Sequence, residues 1–123
     1  MTIAMWMVVA GALLPYLTVL LAKAGTSYDN EMPRDASERL QGWRRRADWA
    51  HRNHFEAFPP FAAAVLLAEF TEAAQGRLDL LAIAFILLRI AYTAAYLAGA
   101  GTVRSMLWAA SFGVTLWIFM LPV

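Results

Sequence analysis

The chain has 123 residues, of which 61% are hydrophobic and 15% charged. Water-soluble domains average about 45–50% and about 25%, so a single domain of this length carries more apolar side chains than its core can hide, and the surplus must face lipid. The formal net charge is only +1, and with no Cys at all the chain is excluded from disulfide frameworks, Cys-ligated metals and any thiol nucleophile of its own.

Ile3 to Ala22 is an uncharged run of twenty residues, about the number a bilayer-spanning helix requires. No basic segment precedes it and it is long for a secretory signal, so it reads as a spanning helix. Pro15 inside it should kink the helix or open a carbonyl to a neighbour. Lys23 to Asp35, with Gly25, Ser27, Asp29, Asn30 and Pro33, reads as a polar loop. Asp35 or Ser37 is the expected cap of a second helix running from about Ala36 to about Ala73. Its first half is charged and should project into water. Its second half is apolar from Phe55 onward, with a bend expected at Pro59-Pro60.

Glu72 to Arg77 reads as a short connection, and Leu78 to Leu97 as a third apolar run broken by one charge, Arg89. Gly99-Ala100-Gly101 predicts a tight turn. Thr102 to Met120 is the fourth run, with Arg104 in its first turn and Pro122 beyond its end. The expected fold is an all-α integral membrane protein: one domain over 1–123, a four-transmembrane-helix bundle with spans at about 3–22, 55–73, 78–97 and 102–120. The first and third loops with their flanks hold Lys23, Arg34, Arg39, Arg44, Arg45, Arg46, Arg52 and Arg104, against Arg77 alone on the other side. The positive-inside rule then places those loops in the cytoplasm and both termini outward.

Three helices bring polar faces to the cytoplasmic half of the layer. On the second, Arg46, Trp49, Asn53 and Glu56 form a stripe about 80° wide at 100° per residue. On the third, Arg89, Tyr92, Thr93 and Tyr96 form one about 100° wide. Arg89 sits roughly 12 Å from the end of its helix at 1.5 Å per residue. A cation at that depth costs roughly 2.5–3.5 kcal/mol on insertion scales, so it must face the bundle and find a partner. Glu56 is the expected partner, bridged by Asn53 and Tyr96. That pairing is equally readable as a structural tie between two helices. Arg44 to Arg46 reads first as a headgroup anchor or topology signal, with Arg46 set apart because it continues the stripe. His51 and His54, spaced i, i+3, read as interfacial polar residues rather than as a metal pair. Tyr92, Tyr96, Trp49 and Trp108 read first as belt or packing residues, and Ala94-Ala95 with Gly99 as a close helix contact. Arginines converging on a polar pocket suit an anionic ligand. Arg104 near a helix N-terminus could also hold an imported thiol as its thiolate, the nucleophilic form.

On these residues the chain resembles the membrane-associated proteins in eicosanoid and glutathione metabolism, the MAPEG family. Three pieces carry the resemblance: Arg46 to Phe61 with its Asn53 and Glu56 spacing; Arg89-x-x-x-Thr93-x-x-Tyr96-Leu97; and Arg104-Ser105 opening the last helix. The chain is similar to the small bacterial members in its length and its Phe58-Pro59-Pro60-Phe61 run. The resemblance implies a homotrimer in a bacterial inner membrane, with glutathione bound between subunits on the cytoplasmic side. It implies that Asn53 and Glu56 grip the amino end of that peptide, that Arg46, Arg52, Arg89, Tyr92 and Tyr96 help to bind it, and that Arg104 with Ser105 meets the thiolate. Trp49, Tyr92 and Trp108 depart from what eicosanoid-producing members carry at those places. The activity expected from this is a glutathione-dependent transfer to, or reduction of, lipophilic electrophiles arriving from the bilayer, with no metal and no nucleic-acid partner. The other expectation is a non-catalytic membrane trimer that binds a lipid or another anionic amphiphile.

Overall fold

Apolar runs bounded by caps and turns give five helices in the computed structural model, which describes residues 1–25 and 30–123. They are α1 (Ile3–Lys23), α2 (Pro33–Glu38), α3 (Gly42–Phe70), α4 (Gln75–Leu97) and α5 (Gly101–Met120). Every described regular element is helical. Three of the helices, α1, α4 and α5, are long and apolar enough to cross a membrane. The expected polar loop at 23–35 falls partly on residues 26–29, outside the described residues.

α1 starts where Thr2 accepts a hydrogen bond from the Met5 amide at 3.1 Å, satisfying one of the free N–H groups of the first turn. Pro15 stays inside the helix. Its own carbonyl accepts a hydrogen bond from His51 Nδ1 at 2.7 Å, which ties α1 to α3.

The expected continuous helix from Ala36 to Ala73 is instead two. α2 stops at Glu38, and α3 begins at Gly42, whose φ of +62° breaks the helical path. Only a residue without Cβ adopts that conformation cheaply. The expected side-chain caps do not form: Ser37 is buried and donates to the Arg34 carbonyl at 2.9 Å, and Gln41 caps α3 without a side-chain bond. α3 then runs unbroken through Pro59 and Pro60 to Phe70.

α1, α3, α4 and α5 pack side by side, and α3 and α4 each touch all of the other three long helices. The shared core sets small residues beside larger ones, Val65, Leu78, Ile86 and Ile118, around two rings. Ala4, Ala64, Ala68 and Ala82 are fully buried, as close helix packing in lipid requires. Phe61 and Phe85 stack between α3 and α4 with centroids 3.8 Å apart and planes within 5°. Gly11 lets α1 approach α3, because a Cβ there would meet Phe58 at 3.2 Å.

The two ends of the bundle are closed by different chemistry. At one end, Asp79 of α4 accepts from the Ala4 amide at 2.9 Å and from Gln75 at 2.8 Å, and Thr2 donates to Glu69. At the other, the three consecutive arginines each reach the carbonyl end of a different helix. Arg44 donates to the Ala24 carbonyl at 3.0 Å, Arg45 to the Glu38 and Leu40 carbonyls, and Arg46 to the Leu97 carbonyl at 3.0 Å. Cations at helix C-termini complement both the orphan carbonyls and the helix dipole.

Large apolar side chains remain outside this core on every long helix, among them Leu17, Leu66, Phe70, Leu80, Leu87 and Trp117. In lipid they cost nothing, which also means that burial in the core contributes packing rather than escape from water. Truncation of the central ring should therefore cost less than in a water-soluble core. Phe61→Ala is expected to destabilise the folded state by roughly 1–3 kcal/mol, against about 3–5 for a soluble protein. Unfolding in mixed micelles, followed by far-ultraviolet circular dichroism, measures it.

Candidate functional site

The site forms where α3, α4 and α5 converge, toward the arginine-capped end of the bundle. Its centre is Arg89, 1% exposed, on the face of α4 turned to α3. A guanidinium has five N–H donors and no acceptor, so one carboxylate could not satisfy it. The structure meets it with neutral acceptors. Nε and Nη2 donate to His54 Nδ1 at 3.2 and 3.0 Å, and Nη2 also donates to Asn53 Oδ1 at 2.7 Å.

These contacts fix the protonation of the imidazole. With Nδ1 accepting from a cation, the ring hydrogen sits on Nε2. Nε2 donates to Thr93 Oγ1 at 2.8 Å, and the Thr93 hydroxyl donates to the Arg89 carbonyl at 3.1 Å. The bonds close a ring: guanidinium to imidazole, imidazole to hydroxyl, hydroxyl back to the arginine's own backbone. Tyr92 adds its face, 4.2 Å from Arg89 Cζ, a favourable position for a cation.

Glu56 reaches Arg89 only through a bridge. Asn53 stands between them, donating to Glu56 Oε2 at 3.0 Å while it accepts from Arg89. Asn53 bridges as expected; Tyr96 does not. Instead Tyr96 packs against Tyr92 at 5.5 Å, and Arg104 lies over its ring at 4.6 Å. Through this arrangement the exposed Glu56 remains available to a ligand.

Two open depressions share Tyr92 and Tyr96 as a common wall. One, about 240 Å³, is lined by Arg104, Ser105 and Trp108. The other, about 470 Å³, is lined by Trp49, Arg52, Asn53 and Glu56. Most of the residues singled out in the sequence thus meet on one surface. Arg52 sits at its edge, its Nε 3.1 Å from Asp48 and its Nη2 3.3 Å from the Ser37 hydroxyl. Arg46 stands apart, on the Leu97 carbonyl at the end of α4, so its place in the stripe serves capping. His51 is held by the Pro15 carbonyl, and both ring nitrogens of His54 are occupied by Arg89 and Thr93.

Sequence reasoning misses His54 as a site residue. At 100° per residue it points away from the Asn53–Glu56 stripe, and helical phase alone gives it no reason to reach the same cation. The signal that could have found it is the donor count of Arg89, which demands several acceptors at one level.

A family model matches residues 3–123, and the chain belongs to the MAPEG family. Among curated proteins and solved structures, none matches. Membership, with three helices able to cross a bilayer, makes this an integral membrane protein.

The closed ring around Arg89 predicts unequal costs for its members. Thr93→Val removes the hydroxyl that serves both His54 and the Arg89 carbonyl, and should cost about 1–2 kcal/mol, while Thr93→Ser restores most of it. His54→Ala leaves two guanidinium donors unpaired in the bundle and should cost roughly 3 kcal/mol or more. Unfolding in mixed micelles ranks the three variants; equal stabilities for Thr93→Val and Thr93→Ser would refute the ring.

Proposed function

We propose that the chain is a glutathione-dependent transferase or peroxidase, acting as a homotrimer on lipophilic electrophiles that reach it through the bilayer. The observation that carries this reading is the charge order along the joined depressions: the Glu56 carboxylate at one end, the Arg104 guanidinium at the other, and two tyrosines between. Glutathione, with an amine on its first residue and a thiol on its second, suits that order. The volume also fits, since small-molecule sites run at about 300–1,000 Å³.

In this mechanism the Asn53–Glu56 pair receives the amino group. Arg52, Tyr92 and Tyr96 line the backbone of the peptide. Arg104 lies in the first turn of α5, where its charge adds to that of the helix N-terminus. Together they favour the thiolate over the thiol, and Ser105 offers a hydroxyl donor beside it. The thiolate attacks an electrophilic carbon, forming a carbon–sulfur bond as the leaving group departs with its electron pair; or it attacks a peroxide oxygen, forming a sulfur–oxygen bond as the oxygen–oxygen bond breaks and the alkoxide leaves, and a second glutathione then displaces water from the sulfenic acid to give the disulfide. Binding both reactants in one geometry supplies the entropic part of the acceleration.

Since Glu56 and Arg104 line depressions open on one side, a neighbouring chain would close the site, which supports the trimer. The α3 helix supplies the fourth span through its apolar half, and the arginine-rich end faces the cytoplasm under the positive-inside rule. A bacterial inner membrane fits that orientation.

Glutathione added to the purified protein in detergent should produce the ultraviolet absorbance of a thiolate. Arg104→Ala should abolish that signal and lower turnover of a model electrophile by about 10²–10³-fold, while Arg104→Lys should keep part of both. Native mass spectrometry should find three chains. No thiolate signal in a protein that binds lipid tightly would instead establish a non-catalytic binding trimer.

A further inference from the structure

Deeper in the bundle than the two depressions lies a third cavity, about 150 Å³, between α3, α4 and α5. Its apolar wall is formed by Phe85, Trp108 and Phe112, with Pro60 and Ala57 of α3. Trp108 and Phe112 stack on one another with planes within 11°. A space of this size is about what a single benzene ring fills.

Arg89 forms part of the wall. Its Nε and Nη2 are committed to His54 and Asn53, and Nη1 alone has no partner. Among the described residues it is the buried side-chain nitrogen or oxygen left unsatisfied. An unpaired donor on a buried cation is costly, so an acceptor is expected there. Of the other polar groups of the wall, Glu56, Ser111 and Thr115 can only accept, whereas the Asn53 amide and the Trp108 indole carry N–H donors. Ser111 and Thr115 spend their hydroxyl hydrogens on the Trp108 and Ser111 carbonyls at 2.9 and 3.2 Å, and Glu56 is a carboxylate.

From this we infer that the cavity is a binding site for a phenol-class ring. The hydroxyl oxygen accepts from Arg89 Nη1, the hydroxyl hydrogen is donated to an acceptor of the opposite wall, and the ring lies among Phe85, Trp108 and Phe112. A carboxylate would meet the Glu56 charge, already linked to Arg89 through Asn53. A plain hydrocarbon would leave Nη1 unpaired. Identification of the bound ring as the electrophile-bearing substrate rests on the glutathione reading above; the binding itself rests on the cavity alone.

The test compares 4-ethylphenol with ethylbenzene on the full chain in detergent, by isothermal titration. The phenol should bind saturably and at least about tenfold tighter than the hydrocarbon, the worth of one hydrogen bond to a charged donor. Ala57→Leu fills the cavity without touching the Arg89 ring and should abolish binding of both probes, while the thiolate signal with glutathione persists. Equal affinities for the two probes, no saturable binding, or phenol binding that survives Ala57→Leu would each overturn the inference. Phenol binding that meets these conditions in a protein giving no thiolate signal would uphold the cavity assignment and remove only the glutathione reading.

Discussion

One buried guanidinium organises the functional half of this protein. Arg89 sits where a cation is expensive, and its satisfaction recruits residues from two helices and fixes them. His54 must be the neutral tautomer with hydrogen on Nε2, Thr93 must turn its hydroxyl to the Arg89 carbonyl, and Asn53 must present its oxygen inward. That last requirement turns the Asn53 amide nitrogen outward to Glu56. The orientation of a surface carboxylate is thus set by a charge in the interior, without direct contact between the two. A direct ion pair would have drawn Glu56 inward; the relay leaves it exposed.

The distribution of small and large side chains serves the same end. Alanines and glycine bring α1, α3 and α4 close where no chemistry occurs, around the Phe61–Phe85 stack. Toward the arginine-capped end polar side chains gather, and the depressions beside Tyr92 and Tyr96 open there. α5 has few buried residues, Ser111, Thr115 and Ile118, and contributes its polar side to the cavity while Met106, Leu116 and Trp117 stay outside. In a membrane this asymmetry carries no penalty, since lipid solvates what the bundle does not cover.

α1, α4 and α5 were legible in the sequence because apolar runs of about 20 residues are rare outside spanning helices, and α3 was legible in its apolar half. The meeting of Asn53, Glu56, Arg89, Tyr92, Tyr96 and Arg104 was legible because helical phase and depth suffice to align stripes on neighbouring helices. The break between α2 and α3 was not, because a single glycine at positive φ looks in the sequence like any other residue of a polar segment. Nor was the role of His54, which depends on how a forked cation divides its donors between two adjacent side chains. The capping by Arg44, Arg45 and Arg46 was hidden for a related reason: three like charges in a row suggest a common target, whereas successive helical residues point 100° apart and so reach three separate helix ends. Sequence phase places side chains on faces; it does not reveal which partner a long, flexible side chain selects.

The grip on α4 has a mechanical consequence. Asp79 holds the start of that helix to the first turn of α1, and Arg46 holds its final carbonyl from near the start of α3. Sliding α4 along its axis would break both anchors together, so axial sliding is the stiffest displacement open to it. Any response to an occupant must then come from rotation of side chains about fixed backbones, or from α5, which neither anchor touches. The helix carrying Arg104 is held instead by its packing against α3 and α4.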